Sequence, residues 1–326
     1  LCVVMVILMT IVGGLTRLTG SGLSITEWQV ISGILPPLSQ ESWYEMFDKY
    51  RLTPEFININ YNMKLEEFKS IFMVEYIHRI LGRLTGLILA LPFFYFSLKK
   101  YFSKTQFFQL LFILLLVGLQ GFIGWYMVKS GLVSRTSVSP YRLALHLSMA
   151  VIIYGLLLWK ALNHNSYNQK QTVNKSIYNH MLLGLVVIFI QIISGAFVAG
   201  NDAGLVYNSF PMMDGELIPE GLWSINPWYL NIFENITMVQ FNHRLIALII
   251  LVILSSLYFR TINQFNIGLT KTSMKIMLLM LFLQGSLGII TLLYQVPIIV
   301  ASLHQLGALL LFGSMLNILY SCKKDK

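Results

Sequence analysis

The sequence predicts an all-α integral membrane protein of eight transmembrane helices, arranged as two tandem, parallel-repeated four-helix bundles. Three observations predict it. The 326-residue chain is 56% hydrophobic and 11% charged, whereas a soluble domain carries about a quarter charged residues. Eight apolar stretches recur along it, each near the roughly 20 residues that a spanning helix needs. The second half also echoes the first, since Glu75-Tyr76-Ile77-His78-Arg79 is answered by Gln240-Phe241-Asn242-His243-Arg244.

The stretches fall at 1–15, 70–98, 106–127, 140–161, 177–199, 237–259, 272–293 and 297–320. The first is short, and the chain opens at Leu1 without a methionine, so the reading is that a short tail precedes it and its helix begins earlier. No small-residue cleavage site follows it, as a signal peptide would require. A long loop, about residues 16–69, comes next. Within it Trp43, Phe47 and Tyr50 recur at helical spacing across Glu41–Arg51, which predicts a short amphipathic helix lying on the membrane surface and capping a site beneath. The second stretch carries His78, the third Gln120-Gly121-Phe122-Ile123-Gly124, and the fourth His146. The fifth opens the second copy and leads into an acidic loop, Asp202–Glu220, backed by Trp223 and Trp228, residues that favour membrane interfaces. The sixth carries His243, the seventh Gln284-Gly285-Ser286-Leu287-Gly288, and the eighth His304.

The two copies are offset by 165 residues between His78 and His243, by 164 between Gln120 and Gln284, and by 158 between His146 and His304. A shorter loop after the seventh stretch absorbs the slip. Four helices separate equivalent positions, so both copies cross the membrane in the same direction. The domains are accordingly 1–162 and 163–326.

Orientation follows from charge. Lys99, Lys100, Lys104, Lys160, Lys170, Lys175, Arg260, Lys271, Lys275, Lys323, Lys324 and Lys326 fall on one side, while Glu27, Glu41, Glu45, Asp48, Glu55, Asp202, Asp214, Glu216 and Glu220 fall on the other. The positive-inside rule places both termini in the cytoplasm. The net charge of +9 is mostly topology, and its spread over four inner segments excludes a nucleic-acid footprint. Cys2 and Cys322 lie near opposite ends with no CxxC, so thiol redox chemistry and a cysteine metal site have no support.

Four histidines remain, paired as His78 with His146 and His243 with His304, all near helix starts on the outer side. One imidazole from each of two facing helices holds a haem iron from both sides, so the pattern predicts two haem-type sites towards the outer leaflet. Gly82, one turn below His78, and the Gln-Gly-x-x-Gly stretches, with Gly285 and Gly288 in the second copy, would let a flat macrocycle approach backbone. Arg79, Arg83 and Arg244 are placed to pair with propionates. Each feature has a plainer alternative: a helix-to-helix hydrogen bond for a histidine, small-residue packing for a glycine, snorkelling for an arginine. Four histidines at repeat-equivalent positions favour function, because ionisable groups in a bilayer are costly. His164 and His180 lack repeat partners and read as surface residues.

One mismatch separates the copies. Glu75 shares a helix face with His78 three residues on, while Gln240, its counterpart, cannot act as a base. Chemistry is expected in the first half and electron transfer in the second, with a structural pairing of Glu75 and Arg79 as the alternative.

The run Gly13-Gly14-Leu15-Thr16-Arg17-Leu18-Thr19-Gly20-Ser21-Gly22-Leu23-Ser24-Ile25, with Glu27-Trp28, Pro36-Pro37, Glu67-Phe68-Lys69, Glu75 to Arg79, Phe241-Asn242-His243-Arg244 and His304-Gln305, resembles the haem A synthase family over essentially the whole chain. It is similar to the mitochondrial and alphaproteobacterial branch, and lacks the outer-loop cysteine pair of another branch. The resemblance implies oxidation of the C8 methyl group of haem O to a formyl group, giving haem A for cytochrome c oxidase. It implies a haem B cofactor in the C-terminal half on His243 and His304, with Arg244, Gly285 and Gly288 around it. It implies haem O substrate in the N-terminal half at His78, His146, Arg79 and Arg83, with Glu75 catalytic. It also implies the cell inner (plasma) membrane as location, and a haem O synthase and an electron-transfer partner as associates.

An iron held by two histidines has no vacant position. Either His78 or His146 leaves, or the methyl group loses electrons and is trapped by water, with Glu75 as general base or as stabiliser of developing positive charge. No flavin or nicotinamide fingerprint is present, so electrons are expected to pass through the second haem to or from an external partner. A dihaem b-type cytochrome exchanging electrons with quinone would use the same histidines, but its haems would lie at different depths. A transporter of parallel repeats would show broken helices and polar residues at the midplane, and the sequence shows neither.

Overall fold

The computed structural model describes residues 1–28, 32–133, 135–164, 170–265 and 269–325. Among them the helices are α1 (Cys2–Leu18), α2 (Gln40–Arg51), α3 (Pro54–Asn58), α4 (Leu65–Leu98), α5 (Lys104–Gly131), α6 (Pro140–His164), α7 (Lys175–Gly200), α8 (Asn231–Glu234), α9 (Ile236–Thr261), α10 (Leu269–Leu293) and α11 (Ile298–Ser321). Seven of these, α4 to α7 and α9 to α11, are long and apolar enough to cross a membrane, and α1, at 17 residues, is apolar but shorter. Two short strands, β1 (Gln171–Val173) and β2 (Cys322–Lys324), pair in parallel with Gln171 opposite Cys322. This ladder was not foreseen. The chain forms two compact units, Leu1–Ile153 and Tyr154–Lys326.

The spanning helices are inside out relative to a soluble bundle. Along α5, Phe108, Phe112, Leu115, Leu119 and Phe122 are all exposed, and their spacing of three and four places them on one face. A continuous apolar stripe on the outside belongs against lipid, where the helix already satisfies its own backbone. This is a multi-pass membrane protein.

In the first unit α1 packs on α4, and α4 on α5. Helix α4 begins earlier than the hydropathy suggests. Its start is fixed by Glu67, whose Oε2 accepts the Lys64 backbone N–H at 2.8 Å, and by the acidic first turn of Glu66 and Glu67. His78 therefore sits thirteen residues from Leu65, nearly four turns in rather than two. The extra turns support α2 and α3. Phe47, Tyr50, Phe56, Phe68 and Phe72 form a buried cluster with Trp43 against it, and Trp43 meets Phe72 edge-on at 5.0 Å. The aromatic face of α2, expected to lie on the membrane surface, is spent on α3 and α4 instead. Aromatic partners supplied by the protein outcompete the interface, since edge and offset ring contacts add to simple burial.

In the second unit α7 packs on α9 and α11, and α10 on α11 and α9. Gly184 permits the close approach of α7 to α9, because a methyl there would stand 2.8 Å from Leu254 Cδ2. Residues 294–297 alone join α10 to α11, through Gln295 and Val296 at φ +57° and +60°. A β-branched residue at positive φ is strained, and the shortness of this link accounts for the slip in repeat offset. His180 is not simply on the surface. Its Nε2 lies 3.1 Å from the Ile253 carbonyl oxygen and Arg260 Nη1 lies 3.3 Å from its Nδ1, so it bridges α7 to α9. The His164 side chain lies outside the described residues.

Candidate functional site

Each of the four histidines of the sequence motif lies against a glycine on the neighbouring helix. A methyl on Gly13 of α1 would stand 3.1 Å from His78 Nε2, and one on Gly124 of α5 would stand 3.0 Å from His146 Cε1. In the second unit, Gly195 of α7 is as close to His243 Cε1, at 3.2 Å, and Gly288 of α10 to His304 Cε1, at 2.8 Å. Only a residue without a side chain lets each imidazole lie against the neighbouring backbone. Among the candidate glycines, Gly285 borders open space with nothing within 4 Å of where its side chain would begin.

Four residues before three of these glycines stands a glutamine, one turn away on the same face. Gln120 donates from Nε2 to the His146 carbonyl oxygen at 3.1 Å and lies 3.4 Å from His146 Nε2. Gln191 donates to the His243 carbonyl oxygen at 3.0 Å and lies 3.3 Å from His243 Nε2. Gln284 donates to the His304 carbonyl oxygen at 2.8 Å and lies 3.0 Å from His304 Nδ1. Each amide grips both backbone and ring of its histidine. Gln191 is absent from the residues singled out in the sequence, although Gln-x-x-x-Gly recurs at 120–124, 191–195 and 284–288.

Glu75 is buried, and both its carboxylate oxygens are engaged. Oε2 accepts the Ser24 hydroxyl at 2.7 Å and the Ile25 N–H at 2.8 Å, while Oε1 accepts Arg79 Nε at 3.0 Å and Nη2 at 2.7 Å. Arg79 goes on to donate to the Glu27 and Ile25 carbonyl oxygens and lies over the Trp28 ring. In the second unit Gln240 donates to the Ala203 carbonyl oxygen at 2.7 Å, and Arg244 donates to Gln240 Oε1 at 3.0 Å and to the carbonyls of Tyr207 and Ser209. The pairs Glu75–Arg79 and Gln240–Arg244 thus do one job twice, holding the loop after α1 or after α7 against the histidine helix. Arg83 lies one turn beyond Arg79 on α4.

Residues 1–316 match the family described as COX15-CtaA, cytochrome oxidase assembly protein. The chain belongs to this family. It is 48% identical to the Heme A synthase of Wolbachia pipientis wMel, over 100% of this chain and 91% of that protein. It is 45% identical to the Heme A synthase of Nitrosospira multiformis, covering 99% and 92% of the two chains, and 45% identical to that of Rickettsia bellii, covering 96% and 93%.

The residues of this family member fit a haem. The His243 and His304 rings stand 6.5 Å apart between centroids, with their planes at 77°. A metal–imidazole bond of about 2 Å puts a ring centroid roughly 3 Å from the metal, so two rings on one iron stand about 6 Å apart. Oε1 of Gln120, Gln191 and Gln284 and Nδ1 of His146 are buried with no hydrogen-bond partner among the described residues, as expected of a cleft shaped for a further group. No cluster of three or more His, Cys, Asp or Glu occurs among the described residues.

Proposed function

We propose that this protein is a haem A synthase that oxidises the C8 methyl group of haem O to a formyl group. The observation that carries this reading is the duplicated constellation of histidine, glycine and glutamine in a chain that matches the family along its length. Haem O is the substrate, held in the first unit by His78 and His146. Haem B is the cofactor, held in the second by His243 and His304, with Gly288 giving the His304 ring its place and Gly285 bordering the cleft. When bound, haem B supplies one-electron transfer. The conversion runs from methyl to alcohol and from alcohol to hydrated aldehyde, which loses water; each oxidation takes one oxygen from a water molecule and releases two protons and two electrons, and the electrons leave to an external acceptor.

The chain's own residues set the stage for this. Glu75 is met only by donors, the Ser24 hydroxyl, the Ile25 N–H and the Arg79 guanidinium, which fix its carboxyl group in place. It stabilises positive charge developing on the substrate and pins the loop at Ser24 and Ile25 over the site. Arg79 and Arg244 close the loops, and Arg83 remains the candidate for a substrate carboxylate. Eight spans in two parallel four-helix bundles, with both termini in the cytoplasm, sites towards the outer leaflet of the cell inner membrane and a haem O synthase nearby, complete the proposal.

Pigment extraction from protein purified out of a haem O-producing host tests it, with chromatography and mass measurement of each tetrapyrrole. Haem A or the alcohol intermediate beside haem B is the expected result. Haem B alone would identify an electron carrier instead.

A further inference from the structure

One wall of the first unit is hollowed at a position that its copy in the second unit fills. On α5, Gly118, Gly121, Phe122 and Trp125 recur at helical spacing on one face, and with Trp28 of the loop after α1 they line an apolar cavity of about 480 Å³. Gly118 and Gly121 border open space, with nothing within 4 Å of where a side chain would begin. At the repeat offset of 164, α10 has Phe282 in the place of Gly118, and Gly285, Ser286 and Ile289 in the places of Gly121, Phe122 and Trp125. A bulky ring thus stands in one unit where the other has only backbone.

The cavity adjoins the first histidine pair. Gly121 is one turn from Gly124, against which the His146 ring lies, and the Trp28 ring carries the guanidinium of Arg79, which is bonded to Glu75. Trp28 and Phe122 are both exposed, on the side of α5 that belongs against lipid.

We propose that this cavity receives the isoprenoid tail of haem O and thereby orients the substrate ring. This rests on the reading of the first unit as the haem O site and the second as the haem B site. The two haems differ in one substituent, a long farnesyl-derived chain at C2 of haem O where haem B has a vinyl group. A unit that takes haem O needs a place for that chain and a unit that takes haem B does not, which matches Gly118 in one and Phe282 in the other. The volume lies within the range of about 300–1,000 Å³ usual for small-molecule sites, and the largely carbon lining suits a hydrocarbon. Such a chain gains little by leaving lipid for protein, because both are apolar. What the cavity supplies is orientation. Turning a haem over about the axis that runs between its propionates exchanges the C8 methyl with the C5 methyl, yet keeps the propionates and the iron in place. Only one of the two orientations seats the tail against α5, so the tail decides which methyl meets Glu75.

Filling the cavity tests this, with haem O and haem B titrated separately into purified protein that keeps its resident haem, in lipid nanodiscs. Gly118→Phe gives the first unit the side chain of the second. Haem O binding should weaken about tenfold or more, the scale of a misfit in an apolar pocket, while haem B, which has no tail, binds the first unit as before. Gly121→Leu, one turn along the same wall, should do the same, and an unchanged resident haem spectrum in either variant shows that it is folded. Haem A formed per haem O bound should also fall, and an unchanged yield would remove the orienting role. Unweakened haem O binding in a folded variant, or equal loss of haem O and haem B, overturns the proposal. A wild-type protein that makes no haem A from haem O overturns instead the functional reading on which it stands.

Discussion

At Glu75 and Gln240 the two units put nearly isosteric side chains in one place and turn them towards opposite partners. The loop after α1 presents donors, the Ser24 hydroxyl and the Ile25 N–H, to Glu75, whereas the loop after α7 presents the Ala203 and Tyr207 carbonyl oxygens to the amide of Gln240. Glu75→Gln therefore does more than remove a charge. Its amide N–H2 must face either donors or Arg79, leaving a buried group unsatisfied at a cost of about 1–3 kcal/mol. Haem A per enzyme is expected to fall by roughly 10² or more, the range for loss of a positioned charge or catalytic group, while the resident haem spectrum stays unchanged. Product at the normal rate would leave Glu75 with no role in turnover. His243→Ala or His304→Ala should instead abolish the bis-histidine signal in the reduced-minus-oxidised spectrum, and its full retention in either would remove that pair as haem ligands. The exchange of Glu for Gln was visible in the sequence. The polarity of its partners was not, because it depends on the path of a loop backbone that no side-chain pattern encodes.

Helices α2 and α3 and the first turns of α4 form an element of their own, joined by rings rather than by the spanning segments. Phe68 is fully buried between Phe47 and Tyr50, and Phe68→Ala should cost about 3–5 kcal/mol of local stability. Faster proteolysis within residues 40–60 would show it, with the haem of the second unit unaffected. The same element carries a titrating group. Glu55 accepts the Tyr50 hydroxyl at 3.1 Å in a buried setting, and burial pushes its carboxyl up to about 7, with the charge of Glu75 adding to the effect. A carboxyl harder to ionise in the folded cap than in the unfolded chain makes the folded form bind more protons between the two values. Its contribution is complete below the ordinary value of 4.5 and is lost as pH rises through about 7. Amide exchange across α2 and α3 should accelerate between pH 5 and pH 8, after correction for the intrinsic rate, and Glu55→Gln should remove the acceleration; an equal response in that variant would assign it to another group. The spacing of Trp43, Phe47 and Tyr50 announced the helix. What its apolar face meets was hidden, because an amphipathic face fits lipid and protein equally well until the length of α4 is known.

Across the whole molecule, the features legible from sequence are those that period and repetition encode: the seven long apolar helices, the histidine motifs and their equivalence. Less legible were features set by contact between segments far apart in sequence. The grip of Gln191 on His243 and the pairing of Gln171 with Cys322 are examples. The proposed orientation rests on where cations and carboxylates fall along the chain, and it can be tested directly. In a background with Cys2 and Cys322 replaced by Ser, single cysteines are placed at exposed Glu41, Glu220 and Thr105. Glu41 opens α2 and Glu220 lies between α7 and α9, both in acidic loops, whereas Thr105 begins α5 beside Lys99, Lys100 and Lys104. Lysine-rich segments resist translocation and acidic ones do not. A membrane-impermeant maleimide added to intact spheroplasts should label Glu41→Cys and Glu220→Cys, and should reach Thr105→Cys only after the membrane is opened. Labelling of Thr105→Cys in sealed cells would invert the molecule, move both histidine pairs to the cytoplasmic side, and require the substrate and the electron partner to approach from there.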